Sequence, residues 1–405
     1  MSNVLVVGGG ASGMMAGVFA ARTGAKVTIL ERNNILGKKI LSTGNGRCNY
    51  TNTKLDSGLF YGENPSFVYK AFEEFGVEDT VSFFNSIGII SKDKDGYLYP
   101  RSLQASSFRD ALELAVLNEN IEVKLGLTVI NISKEGSIFK VLAKGENEKY
   151  EAIFDKVIIS CGGKASPKSG SDGSILNVLD NLGVKTNKML PALVPLVSNS
   201  RFLKGLSGVR SEGKVTFYAD DDLIFERFGE IQFTDYGVSG IVIFDGSGRV
   251  AKALDNKEKC FIKIDFMPEY DFSKLKDELS LRISSAYFEN ASSMLKGILN
   301  DKLVSAILKS INCNDNSKPG DINVYDLVKA IKETKIEIKG TKDFDRAQVT
   351  TGGVKTDCLT EHLEYKDIKG LYFTGEIVDI DGPCGGYNLQ WAWTSGYIAG
   401  NAVND

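Results

Sequence analysis

The stretch "NVLVVGGGASGMMAGVFAARTGAKVTILER", residues 3–32, restricts the possible folds of this chain more than any other. Its uncharged run from Val4 to Ala21 is long enough to suggest a membrane helix or a leader. The glycines of "GGGASG" interrupt the apolar character, however, and no basic residue precedes the run. A strand, a tight turn and a helix account for it better. Residues 4–7 read as a buried strand, and Gly8, Gly10 and Gly13 fill the positions of a GxGxxG turn. A helix then runs through Ala11 and Ser12 to about Thr23, Gly24 stops it, and a second strand ends at Glu31.

Each part has a physical task. Gly8 permits the turn, Gly10 lets backbone approach a diphosphate, and Gly13 lets the helix pack on the strand. The free N–H groups and positive dipole end of the helix then face the diphosphate. Glu31 is placed to accept hydrogen bonds from ribose hydroxyls and to repel a 2′-phosphate. The unit therefore predicts dinucleotide binding, with FAD and NAD both open at this point.

Composition narrows the chemistry. A net charge of −4 leaves no electrostatic footprint for nucleic acid. His362 is the single histidine and lies in the polar run "LTEHLEYK", so a histidine-based triad or a multi-histidine metal site is not expected. No metal site is expected from the six cysteines either, because none forms a CxxC pair. Their scatter fits a reducing compartment. The expectation is a cytoplasmic, soluble protein with no membrane and no nucleic-acid partner.

The far end of the chain separates the two dinucleotides. Residues 370–401 read as a strand, the dipeptide Gly375–Glu376, the loop "DIDGPCGG" and a helix beginning near Tyr387 or Asn388. Ala392, Gly396, Ala399 and Gly400 give that helix a small-residue face for close packing on the first unit. Flavoproteins use this layout, in which the C-terminus returns to complete the nucleotide-binding domain. Asp379 or Asp381 is expected near the ribityl or diphosphate region. Gly386 leads into the helix, and the N–H groups of Asn388 and Leu389 are expected to face the flavin, where reduction places negative charge.

The whole chain resembles the bacterial FAD-dependent oxidoreductases that include the aminoacetone oxidase-like and BaiN-like flavoproteins. The resemblance rests on "GGGASG" (8–13), "ER" (31–32), "GKKILSTGNGRCNYTN" (37–52), "GYLYPRS" (96–102) and "CGGKASPKSGSDG" (161–173). It continues through "PALVPL" (191–196), "GEIQFTDYGVSG" (229–240), "TTGGV" (350–354) and "GEIVDIDGPCGGYNLQWAWTSG" (375–396). It implies an α/β fold: a Rossmann-like FAD-binding domain formed by residues 1–190 and 345–405, split by an insertion at 191–344. Residues 191–270 are expected to be mainly β and barrel-like, and 271–335 mainly helical, which agrees with β-type runs such as "KVTFYAD" and helical spacing in "FSKLKDELSLRISSAYFEN".

The resemblance also implies a set of site residues. Arg32, Lys38, Lys39, Ser42, Thr43, Gly44, Asn45, Gly46, Arg47 and Asn49 would follow the cofactor from the ribose toward the flavin ring. Val129 would meet the adenine, and Cys161, Gly162 and Gly163 would pass the diphosphate. Arg47, Cys48, Cys384 and Tyr387 are the candidate catalytic residues. Tyr236, Lys164 and Arg101 are further candidates for handling a proton. The expected reaction is a two-electron transfer between flavin N5 and a small organic metabolite. It is either C=C reduction of an enone with NAD(P)H or amine oxidation with dioxygen. No second GxGxxG unit follows, so any nicotinamide visits transiently. A tRNA-modifying flavoprotein and a non-catalytic flavin-binding redox sensor are the alternatives.

Overall fold

The computed structural model describes residues 1–404, which divide into two compact units: residues 1–190 with 348 onward, and residues 191–347. The first unit is built on five parallel strands, β1 (Asn3–Val7), β2 (Lys26–Glu31), β3 (Glu122–Leu125), β4 (Lys156–Ile159) and β5 (Leu371–Phe373), in the order β5-β4-β1-β2-β3. Val4 pairs with Val27 on one side and Lys156 on the other. Val4, Leu5 and Val6 are fully buried. Continuous aliphatic runs of this kind are the mark of a parallel sheet covered on both faces. The order is that of a Rossmann-type α/β fold, with the first strand at the centre of the sheet.

Helix α1 (Ala11–Arg22) follows β1, and helix α2 (Tyr387–Ala402) follows β5 and lies against α1. Gly396 and Gly400 of α2 make that approach possible. A Cβ at Gly396 would stand 2.6 Å from the Ser12 carbonyl oxygen, and one at Gly400 would stand 2.6 Å from that of Ala16. A three-stranded antiparallel sheet (Thr128–Glu135, Ile138–Lys144, Lys149–Phe154) completes the outer part of this unit. The chain leaves the first unit along Thr186–Ala192 and returns along Val349–Val354, and these two strands pair.

The second unit has its own hydrophobic core. Its seven-stranded sheet has Thr334–Ile338 at one edge and Gly340–Thr341 at the other. These edge strands are consecutive in the chain and separated by Lys339 alone, so the sheet is rolled until its edges meet. Helix Ile241–Asp255 packs against it, and helices Phe272–Ser284, Asp301–Ser310 and Val324–Lys332 form the helical part. Among the described residues, no helix is long and apolar enough to cross a membrane.

Candidate functional site

A cleft of about 210 Å³ opens at the carboxyl ends of the parallel strands in the first unit. Ligands of open α/β sheets are expected at this position. Gly8, at φ 101°, turns the chain out of β1, and a Cβ there would meet the Ser160 carbonyl oxygen at 2.6 Å. A Cβ at Gly13 would meet the Gly8 carbonyl oxygen at 1.9 Å, so helix and turn are in direct contact. Over Gly10 the space is open, with no atom within 4 Å of a Cβ built there. No side chain caps α1, which leaves its first-turn N–H groups directed at the cleft.

Helix α2 presents a second such end. Its N-cap is Gly386 at φ 94°, again with no side-chain cap. The Asn388 side chain instead ties back the preceding loop, accepting from Gly382 N at 2.9 Å and donating to Gly382 O at 2.7 Å. Asn388 and Leu389 line the cleft together with Gly8, Gly10, Ala11 and Ser12. Two uncapped helix N-termini, from opposite ends of the sequence, therefore face one cavity.

The polar wall is connected by hydrogen bonds. Glu31 is buried and lines the cleft; its Oε2 accepts from Gly9 N at 2.8 Å, and its Oε1 accepts from the Asn33 N and side-chain amide at 2.8 and 2.6 Å. Lys38 donates to Asn33 Oδ1 at 3.0 Å. Arg32 pairs with Asp172 at 2.6 Å, and Lys39 pairs with Glu376 at 2.5 Å, a contact that joins the two ends of the chain. Glu376 also accepts from Thr350 N at 3.1 Å. The opposite wall is apolar, with Ile380, Leu389 and Trp391, whose indole N–H donates to Gly375 O at 3.1 Å. Cys161 donates its thiol hydrogen to Val7 O, and burial, followed by the nearby Glu31 carboxylate, pushes it up to about 12.

Of the residues expected from sequence, the structure brings Gly8, Gly10, Ala11, Ser12, Glu31, Arg32, Lys38, Lys39, Thr43, Val129, Cys161, Gly162, Gly375, Glu376, Asn388 and Leu389 to this cleft. Gly13 supports it from behind. Ser42, Gly44, Asn45, Gly46, Arg47, Cys48, Asn49, Gly163, Asp379, Cys384, Gly386 and Tyr387 do not line it. Lys164, Arg101 and Tyr236 also lie outside the lining.

Several of these residues have partners within the protein itself. Asp379 is spent on the protein itself: it accepts from Gly352 N at 3.1 Å, Glu63 N at 3.2 Å and the Asn187 amide at 2.7 Å. Gly44 and Asn45, at φ 55° and 54°, form a left-handed turn, and a Cβ at Gly44 would meet Asn49 N at 2.9 Å. The glycine serves the turn. Asn49, with its side-chain amide turned to satisfy its neighbours, bonds Leu98 O and Thr51 O. Cys48 is fully buried, and burial pushes its thiol up to about 12, so it offers no thiolate at neutral pH. Tyr387 is buried against Phe60 and donates to Lys54 O at 3.3 Å.

The run "NYTN" has a structural role. Trp393 donates to Tyr50 O at 2.8 Å, and Thr51 donates to Gln390 Oε1 at 2.6 Å. Gln390 in turn donates to Thr80 and Thr394. This buried network fixes the start of α2. Sequence reasoning missed Asn33 and Asp172, although "SGSDG" lay within a quoted motif and carries the small polar residues of a turn.

The model of the family described as HI0933-like protein Rossmann domain matches residues 2–402. A 3-dehydro-bile acid delta(4,6)-reductase of Clostridium scindens is 38% identical over 409 residues, covering 100% of this chain and 99% of that protein. A ribosomal RNA dihydrouridine synthase of Escherichia coli is 26% identical over 413 residues, covering 98% and 96% respectively. Among solved structures, a 3-ketosteroid delta1-dehydrogenase from Sterolibacterium denitrificans superposes with a TM-score of 0.53 at 11% identity, covering 99% of each chain. That likeness is one of fold.

Proposed function

This chain belongs to the HI0933-like family, and from that membership we propose that it binds FAD in the cleft and reduces a carbon–carbon double bond conjugated to a carbonyl group. The observation that carries the reading is the convergence of the uncapped α1 and α2 N-termini on one cavity whose wall holds Glu31. One set of N–H groups suits a diphosphate, and the other suits a group that becomes negative on reduction. The open space over Gly10 fits a diphosphate lying on bare backbone.

Bound FAD supplies a carrier that accepts two electrons and passes them on as hydride. The chain's own residues bind and orient it. Glu31 is held by Gly9 and Asn33 with lone pairs left for ribose hydroxyls. Ile380, Leu389 and Trp391 exclude water from one wall. Cys161 stays protonated and does not compete as a nucleophile.

The names of the two curated relatives denote one kind of chemistry. A delta(4,6)-reductase and a dihydrouridine synthase both saturate a double bond conjugated to a carbonyl, in a bile acid and in ribosomal RNA respectively. The higher identity of the first relative and the net charge of −4 favour a small metabolite here. The second reading is RNA modification, favoured by the full-length match to the synthase.

The test starts with purification and an absorbance scan. A yellow protein, bleached anaerobically by NADH or NADPH and recoloured by a 3-oxo-4,6-dienoic bile acid with saturation of that substrate, is the expected result. Recolouring only by ribosomal RNA that lacks dihydrouridine moves the assignment to RNA. Bleaching by a primary amine in place of NADH or NADPH, with the amine oxidised to the imine and dioxygen then recolouring the flavin and leaving as peroxide, makes it an oxidase. A colourless protein that takes up no FAD ends the reading.

A further inference from the structure

Residues 166–174 read "SPKSGSDGS", and the last six of them, Ser169 to Ser174, line the cleft. Ser166, Gly170 and Gly173 all have positive φ, at 60°, 103° and 73°, so the segment is a chain of tight turns. It is held by the two residues that follow Glu31, which also line the cleft. Arg32 pairs with Asp172 at 2.6 Å and also reaches Gly170 O and the Ser174 hydroxyl at 3.4 and 3.3 Å. The Asn33 side-chain amide donates to Ser169 O at 2.9 Å and to Glu31 Oε1 at 2.6 Å. One amide group thus orients the cleft's acid and anchors the segment. Gly170 fits because a Cβ there would stand 2.6 Å from that same amide nitrogen.

We propose that residues 166–174 form a strap over the end of the cleft that holds Glu31, and that Arg32, Asn33 and Asp172 are positioning residues that set how long a dinucleotide stays bound. The inference rests on the FAD reading and assigns the strap to the adenosine half. Ser171 strengthens it. Its hydroxyl is buried with no hydrogen-bond partner, packed against Gly162, and both residues line the cleft. A buried hydroxyl without a partner is costly, and a ligand oxygen at the cleft wall would satisfy it. Burial raises the Asp172 carboxyl, but Ser174 and Arg32 together hold it below the usual carboxylate range, so the latch is charged at neutral pH.

The experiment compares wild type, D172N, D172E and S171A. Deflavinated proteins are titrated with FAD and, separately, with ADP, and FAD release is followed by recovery of flavin fluorescence on dilution. D172N is expected to release FAD about tenfold faster, equivalent to 1.4 kcal/mol, and to lose ADP affinity in the same proportion. D172E is expected to restore most of the retention. Release from D172N within twofold of wild type overturns the strap, as does weakened FAD binding with unchanged ADP binding. Should D172N fail to fold, S171A decides by the same criteria. Failure of the wild-type protein to bind FAD overturns the FAD reading itself, a separate outcome.

Discussion

Substituting Gly396 with alanine tests whether the contact between the two terminal helices sets the shape of the cleft. The new Cβ would lie 2.6 Å from Ser12 O, 2.8 Å from Met15 Cβ and 3.2 Å from Ala16 N. Backbone atoms cannot step aside as a flexible side chain can, so α2 must move off α1 by several tenths of an ångström. Overpacking of this kind costs about 1–3 kcal/mol, and replacing a helical glycine returns about 1 kcal/mol. The net is a loss of up to about 2 kcal/mol, or up to about 8 °C in Tm for a domain of this size. Ser12 lines the cleft and donates to Thr374 O at 3.3 Å, so the displacement falls on the site itself. G396A is therefore expected to bind FAD about tenfold more weakly, close to 1.4 kcal/mol. G400A is the control. Its Cβ would meet Ala16 O at 2.6 Å, a similar clash one turn deeper along α1, beyond the cleft lining. It should lower Tm by a similar amount and leave FAD affinity within about threefold of wild type. Thermal melts of the apoproteins and fluorescence titrations with FAD supply both readouts. Wild-type FAD affinity in G396A, or equal losses of affinity in the two variants, would refute the argument.

Two further outcomes follow from buried groups. The Cys48 thiol ionises near 9.0 when unfolded and only at about 12 when folded, so the folded protein holds the extra proton and loses stability as pH rises between those values. The full loss from this group is about 4 kcal/mol. Urea unfolding at pH 7, 9 and 10 should show a flatter decline for C48A than for wild type, and parallel curves would contradict the burial argument. Thr51→Val removes the donor to Gln390 Oε1 inside a closed network and should cost about 1–3 kcal/mol. T51V combined with Q390L should cost clearly less than the sum of the single changes, because the orphaned acceptor is removed as well. Strict additivity in thermal melts would show that the two side chains are not coupled.

The nucleotide turn was legible because all its parts are neighbours in sequence: an aliphatic run, glycines at fixed offsets, a helix stop and an acid. The C-terminal strand, the Gly375–Glu376 step and the small-residue face of the last helix were legible for the same reason, since strand and helix periodicities are local. The resemblance assigned the glycines of "GNGRCN" to the cofactor, while the structure gives Gly44 a second task that sequence alone did not show. Glycine is demanded equally by a left-handed turn and by a nearby ligand, and at Gly44 the close neighbour is Asn49 N. Cys48 and Asn49 carry polar atoms that suggest chemistry, and only packing showed one buried and the other bonded to Leu98 and Thr51. The Lys39–Glu376 pair, the Arg32–Asp172 latch and the tie from Thr51 to Gln390 join residues hundreds of positions apart or in separate loops. Periodicity and motif spacing describe a chain along its own length, so the sequence could specify what kind of ligand this protein binds. Which side chains meet across the cleft was decided by the parallel sheet, which brings β1, β4 and β5 side by side and delivers the loops after them to one edge.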